Sequence, residues 1–196
     1  MKVNGIGKEA KIAVLLLAAV CILSLVYTLV IMGIAQIAVP DKANGSLISV
    51  DGVVVGSEFI GQSFTSPGYF HGRPSVVDYA GNSSGGSNYG PTSAKLMEEV
   101  SKRIEQVRKE NNLPPDAPVP ADLVLSSGSG LDPDISVDSA MLQVSRVASE
   151  RGLPDSQVKA LVERYIEPPQ FGVLGQEKVN VLKLNLALDE LTKSNK

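Results

Sequence analysis

An unbroken uncharged run from Ile12 to Pro40 constrains this chain more than any other feature. The segment IAVLLLAAVCILSLVYTLVIMGIAQIAV contains no Asp, Glu, Lys, Arg or His. About 20 apolar residues, at about 1.5 Å each, already cross a hydrocarbon core of about 30 Å. A helix that is apolar on every side has no place on the surface of a small soluble domain. Residues 12–39 therefore read as one membrane-spanning helix, with residues 1–11 before it and 40–196 after it. A cleaved secretory signal is the alternative, with Gly33-Ile34-Ala35 as a weak cleavage sequence. Signal cores, however, run to about 7–15 apolar residues, and this run is far longer. Lys2, Lys8 and Lys11 outweigh Glu9 before the span, and Asp41 follows it. That asymmetry predicts an N-terminus in the cytoplasm and a C-terminal domain outside.

Beyond Pro40 there is length enough for one compact domain with its own core. The whole chain carries −3; three lysines and one glutamate make the anchor region +2, which leaves −5 for the domain. An acidic domain without a basic stripe is a poor partner for nucleic acid or anionic lipid. The one cysteine, Cys21, lies in the span, so no internal disulfide can form. One histidine and one cysteine rule out a Cys/His zinc cluster and a Cys–His nucleophilic pair, and no metal site is expected. The chain also lacks a G-x-x-x-x-G-K-[ST] phosphate loop and a G-x-S-x-G elbow. Nothing here makes a self-sufficient enzyme.

The domain reads as α+β without internal repeats. Leu47–Val50 and Val53–Val55 flank Asp51-Gly52, the dipeptide of a type I′ hairpin. Glu58–Phe64 reads as a further short strand. Thr92 is placed to cap a helix running to about Asn111, with Leu96, Val100 and Ile104 inward and Lys95, Glu98, Glu99, Lys102 and Arg103 outward. Leu123-Val124-Leu125 reads as a short strand. Ser136 or Asp138 opens another helix that ends at Gly152, and a third spans Val158–Ile166. Over Val179–Leu188, alternation at Leu182, Leu184, Leu186 and Leu188 predicts a half-buried strand that turns helical at its end.

Two irregular segments carry the candidate site. The first, Gly61–Thr92, holds Phe64, Tyr69, Phe70, Tyr79 and Tyr89, five of the nine Phe and Tyr residues. Disordered segments are poor in aromatics, so this loop is expected to pack by its own side chains even though Gly81–Gly90 alone has the composition of a linker. Gln62, Phe64, Ser66, Tyr69, Phe70, His71, Arg73, Asp78, Tyr79 and Asn82 are its candidate interface or ligand residues. Arg73 and Asp78 read either as convergent polar groups or as a structural ion pair. The second segment contributes Ser127, Ser129, Asp132 and Asp134. Its backbone NH groups suit an anion, whereas its two aspartates suit a cation or a helix cap. Ser66, His71 and Asp78 together define an alternative reading as an anchored hydrolase, and the aromatic loop another as an anchored ligand-binding module.

Several long motifs carry a resemblance. They are GQSFTSPGYFHGRPS (Gly61–Ser75), DYAGNSSGGSN (Asp78–Asn88), LPPDAPVPADLV (Leu113–Val124), SGSGLDPDIS (Ser127–Ser136), RVASERGLP (Arg146–Pro154), QFGVLG (Gln170–Gly175) and VNVLKLNLALD (Val179–Asp189). Together they resemble the C subunit of the bacterial Kdp high-affinity potassium-transporting P-type ATPase over nearly the whole chain. Ser93 and Val137-Asp138-Ser139-Ala140 depart from the family pattern, which often has Asn at the first position and Pro-x-Ala-Ala at the second. Both departures fall at helix starts and bear on capping.

The resemblance implies a non-catalytic accessory subunit in the bacterial cytoplasmic membrane. Its implied partners are a channel-like potassium-translocating subunit, a phosphorylating P-type ATPase subunit and a small single-span subunit. It further implies a catalytic chaperone that raises the ATP affinity of the ATPase subunit, with no cofactor assigned to this chain itself. Consistent with a non-phosphorylated role, the sequence has no D-K-T-G segment.

Overall fold

A computed structural model describes residues 6–195; Lys2, one of the three lysines in the charge argument, lies outside them. The chain divides into two compact units, the first ending at Leu47 and the second beginning at Ile48. The first is dominated by helix α1 (Ile6–Ala38). Within Gly7–Ala38 an 18-residue stretch reaches a mean hydropathy of 2.9 with none of it buried, and the helix is long and apolar enough to cross a membrane. At about 1.5 Å per residue its 33 residues reach about 50 Å. Pro40, which cannot supply an NH, begins the short helix α2 (Pro40–Ala43). The Gln36 and Asn44 side-chain amides pair reciprocally across this junction, at 3.1 and 3.3 Å.

The second unit is a mixed α+β domain. Strands β1 (Leu47–Val50) and β2 (Val53–Ser57) form the expected hairpin. Asp51 and Gly52 both take positive φ, 51° and 79°, as a type I′ turn requires. Helix α3 (Ala94–Glu110) is capped by Ser93, not Thr92; its hydroxyl accepts from Leu96 N. No residue of α3 is buried. The expected outward face is also only partly solvent-facing: Glu99 and Arg103 are half-buried and pair at 3.2 Å. The physical reason is that α3 lies against an irregular segment and is bolted to it by arginines. Arg103 donates to Val124 O and Arg108 to Ala117 O.

Helix α4 (Val137–Arg151) is opened by Ser136 and ends at Gly152. It turns Ala140, Val144 and Val147 inward at spacings of four and three. Helix α5 (Asp155–Arg164) adds Val158 and Val162, and α6 (Val181–Ser194) adds Leu184 and Leu188. Strands β3 (Asp134–Ile135), β4 (Ile166–Glu167) and β5 (Lys178–Asn180) make a small antiparallel sheet with β5 in the middle. Ile135 and Ile166 both face Val179, which is fully buried, and Phe70 completes this core from the aromatic loop.

Three local expectations are corrected. Of the strand expected over Val179–Leu188 only Val179 and Asn180 are strand, in β5, and the helical part begins already at Val181. Asn180 caps α6 by accepting from Lys183 N at 3.1 Å, and Val181, Leu184 and Leu188 recur at helical spacing, so the alternating leucines belong to two sides of one helix. Residues 123–125 close and leave a 3-10 turn (Ala121–Leu123) instead of forming a strand, because Leu123 and Val124 both plug inward. Residues 58–64 also form no strand. A tight Ser57–Ile60 bridge bends the chain there, and Gly61 N is taken by Leu131 O at 2.8 Å.

Candidate functional site

The aromatic loop has almost no regular structure, yet its backbone is held group by group. The buried Asn185 amide on α6 accepts from Phe70 N at 2.9 Å and donates to Phe70 O at 3.0 Å. The buried Gln143 amide on α4 does the same for His71, at 2.8 and 3.1 Å. Two side chains thus supply for consecutive residues what a neighbouring strand supplies in a sheet. One helical turn on, Arg146 donates to the carbonyls of Pro67 and Tyr69 and to Gln143 Oε1. Burial pulls its pKa down, with Glu110 and Glu150 opposing. Arg151 closes the row: it donates to Gly68 O at 2.7 Å, pairs with Asp189 at 2.7 Å and lies 4.3 Å over the Tyr69 ring. Tyr69 in turn donates to Asp189 and meets Phe64 at a ring separation of 5.4 Å.

The second segment is knitted to the first. Arg73 pairs with Asp132 at 2.8 Å, not with Asp78 as the sequence suggested. Asp78 and Tyr79 instead take successive left-handed conformations, φ 50° and 56°, and the Asp78 side chain is exposed. Those dihedrals swing the Tyr79 ring inward, so its hydroxyl donates to Arg73 O. Burial first, and Asp132 second, push that phenol up to about 12. Ser75 Oγ donates to Gly130 O and accepts from Val77 N and Tyr79 N. Gly85 N and Ser84 Oγ both donate to Ser129 O, so the linker-like stretch is tied down in its middle. Gly130 has φ +68°, and a Cβ there would come within 2.5 Å of Val77.

This packing consumes the chemistry the sequence offered. Ser127 Oγ accepts from Gly130 N and Ser129 Oγ from Leu131 N, so those NH groups cradle no anion. Asp132 accepts from Asp134 N, while Asp134 pairs with Lys178 at 2.5 Å. The nearby helix is capped by Ser136, with neither aspartate in that role. Asp122 gathers Ser136 N, Ser136 Oγ and Ser139 Oγ at this helix start, an arrangement that suits the positive end of a helix dipole. Ser139, one of the departures from the family pattern, is thereby put to use. No group of three or more metal-ligating side chains occurs among the described residues.

The hydrolytic trio is not assembled. His71 Nε2 meets the backbone carbonyl of Ser66 at 3.1 Å rather than its hydroxyl, and Nδ1 faces Glu110 at 3.5 Å. Gln62 donates to Val55 O, and Asn82 is exposed. Gln143, Arg146 and Asn185 are the organising residues that sequence reasoning missed. A signal existed: Ser139, Gln143 and Arg146 fall at spacings of four and three among the apolar positions of α4, so a polar stripe shares the inward side of that helix.

A family described as "K+-transporting ATPase, c chain" matches residues 10–190. The chain belongs to the KdpC family. It is 50% identical to the potassium-transporting ATPase KdpC subunit of Caldanaerobacter subterraneus subsp. tengcongensis over 191 residues, covering 97% of this chain and 99% of that one. The KdpC subunit of Nitratidesulfovibrio vulgaris is also 50% identical, over 94% and 93% of the two chains. That of Mycobacterium tuberculosis is 49% identical, over 90% and 95%. As a KdpC subunit the chain is part of a potassium-transporting ATPase complex, and it carries bare apolar surface. Besides α1, Phe171 is 92% exposed, Val173 79% and Leu174 59%, in a short loop pinned by the Gln170–Leu174 bridge.

Proposed function

We propose that this KdpC chain is a non-catalytic accessory subunit that stabilises the potassium pump and couples its parts. The observation that carries this reading is the division of labour within the domain. The polar groups of the two loops are largely engaged, with one another and with α4 and α6, while the Phe171 loop stands bare and pinned. Apolar side chains exposed on a fixed loop mark an interaction surface. The partners are the channel-like potassium-translocating subunit, the phosphorylating subunit and the small single-span subunit. The chain crosses the bacterial cytoplasmic membrane once, with its N-terminus inside and residues 40–196 outside, as Lys8, Lys11 and Asp41 favour.

With that topology the domain covers the outer potassium entrance, and its acidic balance mildly favours cations there. A catalytic-chaperone effect on ATP affinity then acts through coupled conformations of the complex, because two sites can exchange free energy without sharing a ligand.

The test is sidedness. With Cys21→Ser and Ser194→Cys, intact cells are treated with a membrane-impermeant maleimide. Labelling of intact cells supports the external domain and an indirect effect on ATP. Labelling only after lysis overturns the topology and makes direct nucleotide contact the mechanism to pursue. Separately, Phe171→Asp is expected to reduce recovery of the partner subunits with the tagged chain; unchanged recovery sinks the docking role of that loop.

A further inference from the structure

His71 sits at a junction that the packing of the loop alone does not explain. A carbonyl oxygen can only accept, so the Nε2 contact with Ser66 O at 3.1 Å fixes the proton of the neutral ring on Nε2. Nδ1 then presents a bare lone pair to Glu110 Oε2 at 3.5 Å. Two acceptors face each other with no hydrogen between them. Glu110 Oε1 is already engaged, accepting from Gln106 at 2.7 Å. Beside the pair lies a cavity of about 200 Å³, walled by His71, Arg103, Gln106, Glu110, Asn111 and Gln143.

We infer that His71 and Glu110 form an acid-operated latch between the aromatic loop and α3. When the ring takes a proton, Nδ1 becomes a donor and the acceptor–acceptor contact becomes a charge-assisted hydrogen bond. The loop is then tied to the C-terminal end of α3. When the ring is neutral, that tie is absent, and of these two helices only α4 holds the His71 backbone, through Gln143.

The charges around the ring give the latch its counterweight. From α3, Glu110 attracts the protonated ring; Arg103 lines the same cavity but is committed to Glu99 and Val124 O. From α4, Arg146 repels it, and His71 N and Arg146 share the acceptor Gln143 Oε1. Pro74 and Leu123 add only apolar wall. Protonation therefore strengthens the hold of α3 on the loop while opposing the hold of Arg146, and the loop changes allegiance between two helices. The latch itself does not depend on topology; only the compartment whose pH it reads rests on the orientation proposed above.

His71 is the only histidine, so in the full-length chain in detergent micelles its ring gives a single, unambiguous set of NMR signals. Nitrogen shifts at pH 8 are expected to show the Nε2–H tautomer. The titration midpoint is expected to fall by about half a pH unit in Glu110→Gln, a roughly threefold loss of proton affinity. Glu110→Asp, which keeps the charge but withdraws it, is expected to shift the midpoint less, in the same direction. Amide protection at Val107–Glu110, corrected for intrinsic exchange, should rise through the midpoint in the parent chain and stay level in Glu110→Gln. An Nδ1–H tautomer, or a midpoint indifferent to both Glu110 variants, overturns the latch.

Discussion

Helix α1 and the aromatic loop are ordered in opposite ways. In α1 every interior backbone group is satisfied within the helix and the apolar side chains are left outside; nothing in its apolar stretch is buried. In the loop the local bonds are confined to isolated turns, such as Tyr69 N to Ser66 O and Ala80 N to Val77 O, and the Phe70–His71 backbone has no partner inside the loop. Side chains from α4 and α6 reach in to satisfy it, and Phe70 is driven to complete burial. A backbone that serves itself can enter hydrocarbon, where unsatisfied polar groups are prohibitive. A backbone served by others depends on those others remaining in place. One region therefore gains its order from composition, the other from a few polar residues far away in the chain.

Breaking the service to the loop should have the largest effect. Arg146→Met removes the buried cation that holds Pro67 O and Tyr69 O and leaves both without it. The domain is expected to lose about 3–4 kcal/mol in urea unfolding, whereas helical signal from α1 persists. The complementary break, Leu23→Arg in the middle of α1, is expected to penalise membrane insertion by about 3 kcal/mol. It should leave the urea midpoint of the domain unchanged, as read by tyrosine fluorescence. A shifted midpoint would show that the two regions are energetically linked.

Asn185→Leu preserves size and deletes both bonds to Phe70; about 2 kcal/mol of destabilisation is expected in the same unfolding measurement. The smallest effect is on pH dependence. Burial, with Arg146 next, holds the folded-state pKa of His71 below its usual 6.5. The neutral ring is thus the stabilising form. Its contribution is complete above pH 6.5 and is lost as pH falls through the lowered value. The stability difference between the parent chain and His71→Gln, measured from pH 7.5 to 5, should narrow or invert on the acid side. A constant difference would mean that His71 does not titrate differently on folding.

The difference between these regions also explains what was legible in the sequence. The span, the Asp51-Gly52 hairpin and the helices over 94–110 and 137–151 are written in local pattern and could be read directly. The leucine-rich C-terminal segment was misread because alternation and helical spacing coexist in it, and only the Asn180 cap decides between them. The loop could be recognised as packed from its aromatics. Its pairing of Arg73 with Asp132 across 59 positions, and the roles of Gln143, Arg146 and Asn185, could not. Those depend on which helices come to lie against the loop, information that no local window contains. The positive φ values at Asp78 and Tyr79 were equally hidden, since neither residue type demands them.

The amide that clasps Phe70 belongs to a residue 115 positions further along the chain. A polypeptide made from its N-terminal end presents Phe70 long before it presents Asn185. Gln143 and Arg146 of α4 arrive in between and can hold the neighbouring residues, but over that whole interval the backbone of Phe70 itself lacks its clasp. Closure of the loop at Phe70 thus waits on α6, and a truncation that removes α6 is expected to leave the Phe70 N–H and C=O without their Asn185 partner.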